Sequence, residues 1–134
     1  MSEITRENMF ELLLADVPTF QPDWDEFLEE WSEEADRGEE LPLYLALGSL
    51  ATHLINLLEE GRERDLRAAF AVVERWHLEG DSYVRAAATV GLLEDLSNRG
   101  LHRTTTIEQF VPYLSPVSRR QWDEVLRFWG DTGH

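Results

Sequence analysis

Stretches of helical periodicity separated by glycines are the feature that most constrains the fold. Gly38, Gly61, Gly80, Gly100 and Gly130 each follow a run in which apolar residues recur at helical spacing. Glycine adopts the left-handed conformation just past a helix at little cost, so each of these five is a predicted helix stop. No run between them alternates as a strand does. The chain is therefore predicted to be all-α, with six to seven antiparallel helices in one domain spanning residues 1–134.

The periodic segments set the predicted helix boundaries. The third segment is the most apolar, so we expect it to be the central helix. The predicted helices are Thr5–Asp16, Pro22–Arg37, Pro42–Glu60, Arg64–Leu78, Asp81–Asn98, Ile107–Tyr113 and Ser118–Trp129.

The charge of the chain is strongly negative and unevenly distributed. The net charge is −15, of which residues 1–42 carry −12 and residues 43–134 carry −3. Such a chain repels phosphate, which argues against nucleic acid and anionic membranes as partners and favours a basic protein. The chain has no cysteine, no apolar run long enough to span a membrane, and a polar, acidic start. These features predict a cytoplasmic protein.

The second predicted helix is rich in acidic residues. Trp24, Phe27, Leu28 and Trp31 form an apolar stripe at helical spacing, extended by Ala35, which predicts a packed helix rather than a disordered tail. Acidic side chains off this stripe repel one another at i, i+4. The alternatives are a solvated face, a metal cage and a surface selected for a basic partner. The candidate partner-binding residues are Asp25, Glu26, Glu29, Glu30, Glu33 and Glu34.

An uncharged polar stripe interrupts the apolar third helix. Ser49, Thr52, His53 and Asn56 lie at i, i+3, i+4 and i+7. Buried polar groups require hydrogen bonds, so we expect the stripe to face partly inward, with His53 the most buried of the four. Two arrangements remain open, a buried polar network and a groove that takes a ligand.

Motifs for catalysis or metal binding are weak. Glu74 and His77 form a single Glu-x-x-His, whereas di-iron bundles need two copies and further glutamates. His53 and Glu94 could supply further ligands, but a histidine packed between helices is the favoured reading of His77. The sequence contains no nucleophile elbow, phosphate loop or dinucleotide fingerprint. We therefore predict a protein that is not an enzyme and has no cofactor or metal.

Residues 80–96, GDSYVRAAATVGLLEDL, resemble the second helix of a HEAT-type repeat. The resemblance lies in Asp81, Val84, Arg85, Ala87 and Ala88, and it implies helices packed in a HEAT-like array or bundle. The wider pattern, with His53 in the central helix followed by this segment, is similar to small uncharacterised bacterial proteins, some of them immunity proteins of toxin–immunity pairs. That similarity implies a binding role.

Together these features predict an acidic protein-binding module, most concretely an immunity-type inhibitor that occludes a basic toxin or nuclease. The alternative is a helical metal-dependent enzyme or small-ligand binder that uses the polar stripe. The arginines of the fourth helix are expected to face the acidic half, either within one molecule or across a homodimer. They are Arg62, Arg64, Arg67 and Arg75.

Overall fold

The computed structural model describes residues 3–98, 101–102 and 104–131, and this part of the chain is all-α, with no β-strand. A π-helical segment, Ala87–Leu93, joins α6 to α7, and 3-10 turns cover Pro18–Phe20 and Ile107–Tyr113. No helix in the described ranges is long and apolar enough to cross a bilayer. The helices are α1 (Met9–Asp16), α2 (Gln21–Glu30), α3 (Ser32–Asp36), α4 (Leu43–Glu59), α5 (Glu63–Glu79), α6 (Ser82–Ala86), α7 (Glu94–Leu96) and α8 (Pro116–Asp131).

The predicted helix boundaries hold best in the middle of the chain. Helices α4 and α5 begin and end within one residue of the predicted positions. The first helix begins at Met9 rather than Thr5, because the Thr5 N–H donates to Asn8 Oδ1 at 2.8 Å and closes a turn first. The last helix begins earlier than predicted, at Pro116, which lacks an N–H and suits the first turn.

Glycine ends two helices in the predicted way. Gly38 and Gly61 have φ values of 75° and 71°, the left-handed conformation that other residues rarely adopt. Gly80 was expected to do the same but is extended, with φ −75° and ψ 152°. It is needed there for space, because a Cβ would collide with the Trp76 carbonyl oxygen. Gly130 lies inside α8, and Gly100 lies outside the described residues.

Helix α4 is central, as its apolar sequence predicts. It packs against α2, α5, the π-helical segment and α7, and its inward face is fully buried. Gly91 allows the π-helical segment to approach α4 closely, since a Cβ there would lie 2.7 Å from Leu47 Cδ1. A single connected core extends from Ile4 to Trp122. The buried residues of α4 are Leu43, Ala46, Leu47, Leu50, Ala51, Leu54, Ile55 and Leu57.

The segment before α1 is attached to the junction of α5 and α6. The Ile4 N–H donates to the Glu79 carbonyl at 3.0 Å, and the Asp81 N–H donates to the Ile4 carbonyl at 2.9 Å. The Ile4 side chain is buried, and its neighbour Gly80 completes an isolated bridge. This attachment links the start of the chain to the turn after α5.

Aromatic contacts place α2 against the core. The rings of Phe10 and Trp24 stack with centroids 4.5 Å apart, and Trp24 in turn stacks on Phe27. Trp76 is completely buried, and its indole N–H donates to the Met9 carbonyl at 3.2 Å. These contacts fix the orientation of α2 and so determine which of its side chains face solvent.

Candidate functional site

The outward side of α2 and α3 is an acidic surface, which we call the acidic face. The aromatic side of α2 is anchored inward by buried Phe27, so the charged positions between the aromatic residues point away from the core. Five of the six candidate residues are exposed, and Glu34 is half-buried. The acidic face consists of Asp25, Glu26, Glu29, Glu30, Glu33 and Glu34.

Most carboxylates of the acidic face have no basic partner. Asp25 accepts a hydrogen bond from Gln21 Nε2 at 2.9 Å, and Glu34 pairs with Arg37 at 3.6 Å. The remaining four contact no basic side chain in the described part of the chain: they are Glu26, Glu29, Glu30 and Glu33. Their repulsion therefore persists in the isolated protein.

The arginines at the start of α5 and within it form no ion pair with the acidic face in the described residues. Whether they face the acidic half of the chain stays a prediction. Arg62, which immediately precedes α5, pairs with Asp65 at 2.8 Å, and Arg75 pairs with Glu79 at 3.0 Å, so both partners lie on α5. Arg67 lies over the ring of Tyr113 at 5.7 Å. Because these arginines interact locally, they do not compensate the negative charge of the acidic face.

The predicted second helix is interrupted at Trp31. The last turn of α2 carries Glu29 and Glu30 with no basic residue, and negative charge is unfavourable at a helix C-terminus. After the break, Glu33 lies in the first turn of α3, where the helix dipole favours it. None of the residues of α3 is buried, and Leu28 is 37% exposed. The predicted packed stripe is therefore correct for Phe27 but wrong for Leu28 and Ala35.

A small pocket of about 130 Å³ lies between α2 and α4 at the edge of the acidic face. Its walls combine apolar and aromatic side chains with three carboxylates, and it is open to solvent. Two acidic-face residues and one polar-stripe residue line this pocket, so the acidic face and the polar stripe of α4 meet here. The lining residues are Asp23, Glu26, Phe27, Glu30, Trp31, Leu45 and Ser49.

The polar stripe of α4 is divided rather than acting as one surface. Ser49 is exposed at the pocket, and Thr52 and Asn56 are exposed elsewhere on the helix, so the expectation that they face inward is wrong. The Thr52 hydroxyl donates back to the Gly48 carbonyl at 3.3 Å. Because α4 turns its leucine side to the core, the polar side chains at these positions are left at the surface. Only His53 is held inward.

His53 is held by neighbouring polar groups rather than lining a groove. Its Nε2 lies 2.9 Å from Thr19 Oγ1, and its Nδ1 lies 3.6 Å from Asp23 Oδ2. It is the most buried of the four stripe residues, with 14% of its side chain exposed. Burial lowers the pKa of His53, and the nearby Asp23 carboxylate partly opposes that shift. The histidine thus connects the start of α2 to the centre of α4.

His77 packs between helices, as the favoured reading of the Glu-x-x-His motif predicts. Its Nδ1 lies 2.9 Å from Ser118 Oγ, and its Nε2 lies 3.1 Å from Thr89 Oγ1. Burial lowers the pKa of His77 to about 4, so the ring is neutral at neutral pH. In the described residues no three histidine, aspartate or glutamate side chains come close enough together to hold a metal ion.

Four pocket residues were not predicted as site residues. Phe27 and Trp31 were predicted to belong to the packed apolar stripe, and Asp23 was not among the candidate partner-binding residues. Leu45, 57% exposed, was not singled out. The spacing of Asp23, Glu26 and Glu30 at i, i+3 and i+7 already places the three carboxylates on one face of a helix. That spacing does not reveal which other helix packs beside this face, so the pocket could not be predicted from it.

Comparison with known proteins identifies a family but no function. A family profile described as "Domain of unknown function (DUF7674)" matches residues 10–130. No curated protein and no solved structure matches the chain.

Proposed function

Since the chain belongs to the DUF7674 family, whose function is unknown, we propose from the chemistry of its surface that it is an acidic protein-binding module. In its most specific form it is an immunity-type inhibitor that occludes a basic toxin or nuclease. The observation that carries the proposal is the set of unpaired carboxylates on the acidic face, next to a pocket with aromatic walls. The proposed place of action is the cytoplasm, where a chain without cysteine needs no oxidising environment.

The pocket between α2 and α4 suits the side chain of a lysine or arginine. Its aliphatic stem can lie along Phe27, Trp31 and Leu45, while its charged head reaches carboxylate oxygens. A cation held over aromatic faces also gains from the ring quadrupole. The pocket therefore provides a specific anchor for a basic partner, in addition to general electrostatic attraction.

The rest of the acidic face then contributes mainly to the rate of association. Exposed charges such as Glu29 and Glu33 gain little from a single ion pair, but together they attract a basic surface over long range. Binding at the anchor covers the corresponding basic side chain of the partner. Inhibition follows because a toxin or nuclease uses such basic side chains to hold its phosphate-bearing substrate.

The experiment compares reversal of charge on the acidic face with reversal of the same number of charges elsewhere on the surface. The test variant carries Glu26→Lys, Glu30→Lys and Glu33→Lys. A matched control carries Glu7→Lys, Glu11→Lys and Glu124→Lys, three residues that are exposed and lie on α1, the turn before it and α8. The two variants have the same net charge, so their difference isolates the position of the charge.

We expect the test variant to bind its basic partner, captured from the native host, with an association rate on the order of 10- to 100-fold lower. The control should lose much less, and the wild-type rate should fall steeply as salt rises. Circular dichroism should show that both variants remain folded. Equal rates for the wild type and the test variant would mean that the acidic face is only solvated.

Inhibition of the partner is tested by a separate measurement of the partner's activity. The purified partner's toxic or nuclease activity should be lost at one equivalent of wild-type protein and retained with the test variant. A partner that binds through the acidic face yet keeps full activity would support a binding module and reject inhibition.

A further inference from the structure

A second, larger cavity, open to solvent, lies among α5, α6, the π-helical segment and α8. It has a volume of about 600 Å³, within the range of small-molecule sites. Its polar lining includes His77, Arg85, Thr89 and Gln121, and no carboxylate of the described residues lines it. In a chain of net charge −15, a cavity whose one formal charge is an arginine differs from the rest of the surface.

A chain of hydrogen bonds gives this cavity its polarity. The Thr89 hydroxyl donates to Gln121 Oε1 at 3.4 Å, so its oxygen accepts from the Nε2–H of neutral His77 at 3.1 Å. His77 Nδ1 must then accept from the Ser118 hydroxyl at 2.9 Å. Since the Gln121 carbonyl is occupied, its amide NH₂ remains as a donor at the cavity wall.

Arg85 adds a positive charge to the same wall. It is exposed on α6 and forms no salt bridge with any described residue. A free guanidinium offers two parallel N–H groups that match the two oxygens of a carboxylate. Both of these polar groups of the cavity are therefore donors, and one of them is charged.

The remaining wall is apolar and is shaped by the π-helical segment. Val90 lies within that segment and is 50% exposed, and Val117 faces it from α8. A π-turn places one extra residue in a helix turn and occurs frequently at functional sites. Here it brings Thr89 and Val90 to the wall together, so that one turn supplies both a polar and an apolar contact.

We propose that this cavity binds a small organic anion, a carboxylate with an apolar body. The carboxylate lies against Arg85 and the Gln121 amide, and the body lies against Val90 and Val117. A single arginine balances the single charge of a carboxylate, and the valines favour a hydrocarbon body over a bare phosphate. The inference does not depend on the acidic face or on a protein partner.

The test is a titration of the protein with hexanoate, followed by ¹⁵N–¹H NMR. We expect resonances of residues 82–90 and 117–121 to shift, with a Kd on the order of 1 mM, the range open to so small a ligand. Hexanamide, which has the same body without the charge, should bind about tenfold more weakly. Equal affinity for the two compounds, or shifts confined to other regions, would overturn the proposal.

Variants locate the site. Arg85→Gln should weaken hexanoate binding about tenfold, the loss of one charge-assisted contact. Arg64→Gln removes the same charge from an exposed position on α5 outside the cavity and should leave the Kd unchanged. Ala86→Leu fills the exposed cavity wall and should also weaken binding. Unchanged binding in Arg85→Gln, or an equal loss in Arg64→Gln, would contradict the assigned site.

Discussion

At the scale of single residues, two histidines that sequence patterns marked as candidate ligands are held by hydroxyl groups. His53 contacts Thr19, and His77 lies between Ser118 and Thr89. Burial lowers the pKa of both, so each is neutral at neutral pH. In both cases a neutral imidazole joins elements that are distant in sequence through hydrogen bonds with hydroxyl groups, which is a structural role.

The buried His77 predicts a pH dependence of stability. Its folded pKa of about 4 lies below the ordinary value of 6.5, so between these values the unfolded chain binds more protons. This contribution to stability is complete above pH 6.5, falls as the pH drops, and levels off below pH 4. From about pH 7 to about pH 5 the loss should be about 2 kcal/mol.

The measurement is urea unfolding at both pH values for the wild type and His77→Gln. Carboxylates contribute equally to the two proteins, so the variant should lose about 2 kcal/mol less than the wild type over this range. An identical pH dependence in both proteins would show that His77 titrates normally when folded.

Substitution of glycine by alanine should have opposite effects on stability at two positions. Gly80→Ala should destabilise the protein by about 1–3 kcal/mol, because the new Cβ collides with the Trp76 carbonyl and Val84. Gly48→Ala is the control, since its Cβ meets only Asp95 Oδ2 at 3.5 Å within helix α4. There the gain in helix propensity should stabilise by up to about 1 kcal/mol. Thermal unfolding compares them, and a destabilised Gly48→Ala would contradict this explanation.

At the scale of secondary-structure elements, burial separates well-anchored segments from lightly attached ones. Helix α3 buries no residue, and α2 buries only Phe27. The short segment around Ile4, in contrast, is attached by two backbone hydrogen bonds and a buried side chain. Charge therefore dominates the outer surface of α2–α3, while aromatic contacts hold the inner side of α2 to the core. This arrangement is consistent with a surface that acts on another molecule.

The attachment of Ile4 predicts a large loss from a small change before the first helix. Ile4→Ala should destabilise the protein by about 2–4 kcal/mol, because the side chain is 2% exposed. Leu78→Ala is the matched control, since Leu78 is 63% exposed on α5 and should change stability by less than about 0.5 kcal/mol. Chemical denaturation measures both, and similar values would mean that this segment is not part of the folded core.

At the scale of the whole molecule, self-repulsion opposes the compact state. The net charge of −15 is concentrated in residues 1–42, and several of those carboxylates lack a basic partner in the described structure. Screening by salt reduces this repulsion over distances beyond about 10 Å. Stability and association with a basic partner should therefore respond to salt in opposite directions.

Salt should accordingly raise the melting temperature. Increasing ionic strength from about 0.02 M to about 0.5 M should stabilise the wild type, because screening weakens repulsion more than it weakens the few exposed ion pairs. The variant with Glu26→Lys, Glu30→Lys and Glu33→Lys loses three negative and gains three positive charges, which changes the net charge from −15 to −9, and it should respond less. Differential scanning calorimetry in sodium chloride measures both. A larger rise in melting temperature for the variant would mean that the dominant repulsion lies outside the acidic face.

Local features of the fold could be predicted from the sequence alone. The apolar sequence of α4 identified it as the central helix, and the all-α class follows from the helical periodicity along the chain. Gly38 and Gly61 ended helices because the left-handed conformation depends on the residue itself. The HEAT-like arrangement and the immunity-type role stay predictions.

Only the tertiary structure decided which distant residues meet. Helical spacing relates residues within a few turns, whereas His77 contacts Ser118, and Glu26 shares a pocket with Leu45. The break at Trp31 and the exposure of Leu28 likewise depend on how much of α2 finds a neighbour. The sequence by itself determined the all-α class and the excess negative charge. Packing between helices decided where helices break and where that charge adjoins a pocket.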